Sequence, residues 1–146
     1  MLRIIKSTIE TLRENGIDCG LKVGEKWITS DNTEAQYPLF VFDPLTYKIN
    51  NYDFSKEYTL KFVIGYGNNQ DEQDDVMNIE TVEYCETVLQ KFLIALTTYV
   101  NSSSQYLVTM PLDCDIVQFH DLNIWGLPLS GLIVTAYATK QQANQC

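Results

Sequence analysis

Histidine is almost missing from this chain: position 120 holds the only one in 146 residues. A Ser–His–Asp hydrolase would need His120 beside a serine on a strained strand-to-helix elbow. No GxSxG is present, and Ser102, Ser103 and Ser104 sit together in a polar stretch. His120 is expected at the surface or in a structural role. Cysteine is sparse and scattered as well. Cys19, Cys85, Cys114 and Cys146 make no CxxC, no Cys/His pair and no regular spacing, so free thiols are expected. Cys85 should pack as a small apolar group on a helix face. Basic residues are few: ten Lys and Arg against nineteen Asp and Glu give a net charge of −9. That balance opposes a grip on nucleic acid, because affinity for the phosphate backbone comes mainly from cations displacing counterions. A signal-type hydrophobic run is missing too. The opening MLRIIKSTIETLREN mixes apolar and polar residues at helical spacing and has no small-residue cleavage site, so it reads as a first helix, in a cytoplasmic chain with no membrane partner.

What is present is an ordinary globular composition, 45% apolar and 20% charged. The length suits one domain over 1–146, with a core large enough to need neither disulfide nor metal. No repeat, low-complexity segment or long linker divides it.

The elements follow in a readable order. Leu2, Ile5, Ile9 and Leu12 form one helical stripe, and Asn15-Gly16 supplies the stop. Leu21, Val23 and Trp27 suggest a strand or hairpin up to Thr29. Tyr37–Phe42 is a compact run of β-formers closed by Asp43-Pro44, with Pro38 suited to a strand's first residues or an edge. Glu57–Ile64 alternates, placing Tyr58, Leu60, Phe62 and Ile64 on one face, and Gly65-Tyr66-Gly67 reads as the turn that ends it. A long helix follows, with Ile79, Val82, Leu89, Phe92, Leu93, Leu96 and Val100 facing a core and Asn101–Ser104 closing it. Tyr106–Met110, Asp115–Phe119 and a last strand from near Leu129 to Tyr137 return to β character. Strands in groups, rather than in strict alternation with helices, predict an α+β fold: two layers, with two helices packed on one face of a largely antiparallel sheet.

Chemistry-bearing patterns are thin. Asp71, Glu72, Asp74 and Asp75 are the one dense carboxylate cluster. They lack the glycine and the offsets of an EF-hand loop, and carboxylates just before a helix are accounted for by capping and by the helix dipole. Gly65-Tyr66-Gly67 leads into acid, where a phosphate would be repelled. No catalytic, cofactor-binding or metal residue is assigned.

Aromatic residues are abundant, with nine Tyr, six Phe and two Trp. Tyr47, Tyr52, Tyr66 and Trp125 fall in loop-like context, and rings with polar tips favour interfaces. The polar stretch 50–56 and the apolar Ile124–Leu129 are the expected contact segments between subunits. Tyr66, the four acids of 71–75, Trp125 and Leu127 are the interface residues this reading names. The segment 65–75, which has almost nothing apolar to bury, is expected to be ordered by a neighbour.

In order and texture the chain resembles the tail-terminator and neck-ring (head–tail connector) proteins of tailed bacteriophages. The likeness lies in the N-terminal helix, YPLFVFD, EYTLKFVIGYG with its acidic insertion, VMNIETVEYCETVLQKFLIAL and the final apolar strand. It implies a non-enzymatic virion component: a ring of identical subunits at the head–tail joint or tail end, meeting portal, adaptor or tail-tube proteins. DNA would pass through its lumen without specific binding, past a wall rich in carboxylates. Two other readings stand beside it: a metal-dependent phosphoesterase or nuclease using 71–75, and a monomeric adaptor that binds one partner through its aromatics.

Overall fold

A computed structural model describes residues 2–28, 37–67, 75–102, 106–109 and 114–142. Helix α1 spans Leu2–Glu14 and buries Ile4, Ile5, Thr8, Ile9 and Leu12. Thr8 is tolerated inside because its hydroxyl donates to the Ile4 carbonyl at 2.8 Å. The helix stops as its sequence indicates. Gly16 takes φ +91°, Gly16 N–H bonds Arg13 O and Ile17 N–H bonds Leu12 O, the paired bonds of a Schellman cap. Ile17 and Leu12 are both buried, supplying the apolar contact that accompanies such a cap.

The strands are β1 (Gly20–Val23), β2 (Lys26–Trp27), β3 (Leu39–Phe42), β4 (Thr46–Ile49) and β5 (Lys56–Gly67). Helix α2 (Asp75–Ser102), β6 (Tyr106–Thr109), β7 (Asp115–Ile124) and β8 (Leu127–Gln142) complete the described chain. All eight strands belong to one sheet in the order β2-β1-β3-β5-β8-β6, with β4 on β5 and β7 on β8. Pairing is antiparallel except between β1 and β3. The spine is the β5–β8 ladder, Lys56↔Lys140 through Gly67↔Leu129. The other edge of β5 is shared by β3 and β4, whose registers differ by one residue around Asp43-Pro44-Leu45. Proline lacks an N–H for the ladder, so the strand breaks and bulges there.

The fold is therefore the α+β class, with both helices packed against the sheet. On the helix-covered face, Phe40, Phe42 and Phe62 from the sheet meet Phe92 from α2, with ring centroids 4.6–6.4 Å apart. Offset aromatic packing of this kind adds to the area each ring buries. The opposite face holds a smaller core of Leu39, Val41, Val63, Phe119 and Leu129.

Several expectations need correction. Ile79 is 57% exposed, because the buried stripe of α2 runs along Cys85, Leu89, Phe92 and Leu96. That line lies about 100° round the helix from Ile79 at 3.6 residues per turn. Leu2 is also exposed. The side chain of Val100 lies outside the described residues. Gly65-Tyr66-Gly67 is not a turn: β5 continues through it, paired with Gly131, Ser130 and Leu129. The last strand begins at Leu127, and Ile124–Leu129 is not a connection but the end of the β7–β8 hairpin.

Candidate interface surfaces

Two hairpins carry most of the exposed aromatic residues, Tyr47, Tyr52, Phe54 and Trp125, and each is built from local rules. Between β7 and β8 the turn is two residues long, Trp125 with φ +48° and Gly126 with φ +86°, between the paired Ile124 and Leu127. Positive φ at both turn positions matches the right-handed twist of the strands, and Asn-Gly is the usual choice. A tryptophan in the first position is strained.

This hairpin is folded back over the sheet. At Gly131 a Cβ would run into the Ile64 carbonyl oxygen and lie 2.9 Å from the Gly65 Cα, so the β5 backbone approaches β8 there more closely than a side chain would permit. Beyond it, Leu127 and Leu129 pack on the smaller core. Trp125 reaches across to β1, where buried Lys22 donates to the Trp125 carbonyl at 2.9 Å. The indole N–H donates to Asp43 Oδ1 at 3.4 Å. Trp125 keeps 41% of its surface exposed. It closes the curl of the sheet and presents a partly open ring.

Between β4 and β5 the loop is longer and held by its own polar groups. Phe54 N–H bonds Asn50 O, Asn50 N–H bonds Ser55 O, Tyr52 N–H bonds Asn50 Oδ1, and Ser55 N–H bonds Asp53 Oδ1, all within 2.8–2.9 Å. The bond from Ser55 holds the Asp53 carboxyl below its usual range. Phe54 has φ +56°, a second bulky residue in the left-handed region. Among the described residues nothing covers the loop: Tyr52 is 97% exposed and Phe54 74%. Tyr47 and Ile49, half-exposed on β4, extend the patch, with the Lys56 ammonium 5.3 Å from the centre of the Tyr47 ring.

Tyr66 is placed differently from either. It is half-buried in β5, stacked on Tyr37 (centroids 6.0 Å) and tilted against Tyr84 of α2 (5.7 Å). Burial, with Tyr84 beside it, pushes its phenol well above the usual value. Gly67 leaves room for Tyr37, whose hydroxyl would lie 2.7 Å from any Cβ there. Tyr66, Glu80, Thr81 and Tyr84 line an open cleft of about 310 Å³.

Of the residues that sequence reasoning named, the structure brings Trp125 and Leu127 together on one hairpin and puts Tyr66 elsewhere. Asp71, Glu72 and Asp74 lie outside the described residues, as does the side chain of Asp75. The most exposed aromatic patch, Tyr52 with Phe54, falls in the expected 50–56 segment, although Phe54 was not singled out. Its aromatic character in a polar turn was the available signal.

Among the described residues no group of three His, Cys, Asp or Glu stands close enough to hold a metal ion, and no helix is long and apolar enough to cross a membrane. Among the described residues Cys19, Cys85 and Cys114 form no disulfide. Burial pushes Cys85 up to about 12 and Cys19 to about 11, so neither offers a thiolate nucleophile near neutral pH. His120 is exposed on β7. No protein-family model matches the chain, and no curated protein matches it in sequence.

Proposed function

We propose that this chain is a structural assembly subunit, a virion component of the tailed-bacteriophage kind that joins identical copies into a ring at the head–tail joint or tail end. The observation that carries the reading is the β4–β5 hairpin. A loop fixed by four hydrogen bonds of its own holds Tyr52 and Phe54 in water, 97% and 74% exposed. Rigid aromatic residues that serve no internal packing are what protein interfaces use as anchors, because little conformational freedom is lost on docking. The ring and its place in a virion rest on the resemblance of element order to tail-terminator and neck-ring proteins. The net charge of −9 suits a lumen past which DNA slides without being held.

Light scattering across a concentration series, followed by electron microscopy of the largest species, tests the reading. A closed ring is the expected result, and a monomer at every concentration up to about 1 mM, the weak end of specific association, would overturn it.

A further inference from the structure

We infer that the Tyr52–Phe54 hairpin tip of one copy docks into the cleft formed by Tyr66, Glu80, Thr81 and Tyr84 on the next copy. The inference rests on the assembly reading above and names the contact that would carry it. Three observations converge on it.

The first is shape and chemistry. The tip offers two exposed rings on a preformed turn, and the cleft is walled by the rings of Tyr66 and Tyr84. Its volume of about 310 Å³ is at the lower end of pockets that hold small molecules, enough for an aromatic side chain.

The second is charge. From Thr46 to Thr59 the paired hairpin carries Lys48 and Lys56 against Asp53 and Glu57, a net charge of zero in a chain of net −9. Glu80 lines the cleft, Glu83 is exposed one residue from Tyr84, and no Lys, Arg or His occurs in the sequence between Lys61 and Lys91. A neutral tip that carries two lysines meets these carboxylates without the repulsion that two acidic surfaces would impose on each other.

The third is reach. The tip lies before the first residue of β5 and Tyr66 is its penultimate one, so the two are separated by a 12-residue strand. At about 3.3 Å per residue that is roughly 36 Å. A copy cannot dock its tip into its own cleft. A tip-to-cleft contact repeated in one direction from copy to copy is head-to-tail, the kind that closes rings when the rotation allows.

Mixing experiments test the contact with exposed-site variants. The tip variants are Tyr52→Ser and Lys48→Glu, and the cleft variants are Tyr84→Ala and Glu80→Lys; an unchanged denaturation midpoint in each shows that the fold is intact. Each variant alone should raise the concentration for half-assembly at least about tenfold, as losing one interface anchor or charge partner does. Tyr52→Ser mixed with Tyr84→Ala should form heterodimers and nothing larger, because one intact tip then meets one intact cleft. Combining Lys48→Glu with Glu80→Lys in one chain should restore assembly.

If the unaltered chain assembles and either a tip or a cleft variant assembles as well as it does, this contact is overturned while the assembly reading survives on another surface. Impairment by tip variants alone would mean a symmetric tip-to-tip contact and would overturn it too. A chain that stays monomeric throughout removes both.

Discussion

The β7–β8 and β4–β5 hairpins share a feature and differ in what they do with it. Each places a large aromatic residue at positive φ, Trp125 at +48° and Phe54 at +56°, where glycine or asparagine would be comfortable. Trp125 is bonded through its carbonyl to Lys22 and through its indole to Asp43, above a core that includes Leu127 and Leu129. Among the described residues Phe54 has no such cover, and it stands beside the almost wholly exposed Tyr52. The same backbone strain is offset by tertiary contacts in one hairpin and, among the described residues, not in the other. Strain without internal return is what one expects of a residue kept for a contact outside the chain.

The comparison breaks most readily at Gly131. Gly131→Ala puts a methyl into the Ile64 carbonyl and forces β5 and β8 apart, at a cost of about 1–3 kcal/mol. Tyr52→Ala, in the other hairpin, should stay within about 0.5 kcal/mol. Urea denaturation of the two variants measures the gap, and equal midpoints would mean that the close approach of β5 to β8 at Gly131 contributes nothing to stability.

Asparagine in place of each strained aromatic residue sharpens the contrast. Trp125→Asn keeps the turn but loses the clasp on Asp43 and part of the packing, and should cost about 1–2 kcal/mol. Phe54→Asn removes strain and little else, and should be neutral or stabilise by about 0.5 kcal/mol, while assembly weakens. Opposite signs in thermal melts are the expected outcome; a loss of equal size in both would remove the distinction between the hairpins.

The smallest effect is a pH response confined to the β4–β5 turn. The Asp53 pKa lies below its unfolded value of 3.8 in the folded chain, so its contribution is present above that value and is lost as pH falls through the folded one. The Ser55 amide, which donates to this carboxylate, should lose protection from exchange in that acid window, and Asp53→Asn should remove the dependence. Among the described residues no backbone amide of the β7–β8 turn donates to a carboxylate, the turn's one carboxylate partner, Asp43, being held by the Trp125 indole, so no matching change is expected at the Gly126 amide.

The sequence by itself determined the elements whose signals are local. Helix α1 and its cap follow from Leu2–Leu12 spacing and Asn15-Gly16, and the Phe-rich face of the sheet from alternation in Tyr58–Ile64. The α+β class followed from the grouping of strands. Strand β4 escaped because Thr46–Ile49 is short and exposed at every position, so no burial pattern marks it. The tertiary structure alone decided what the glycines and the connections mean. Gly65 and Gly67 resemble turn residues in sequence, yet they lie inside a strand because Leu129 and Tyr37 need the space a side chain would fill. Ile124–Leu129 reads as an unexplained apolar connection until the tertiary structure sets it on Leu39, Val41 and Val63, the second face of the sheet. Local periodicity records which face of an element is apolar; it cannot record which distant strand will arrive to cover it, because that depends on how far the sheet curls.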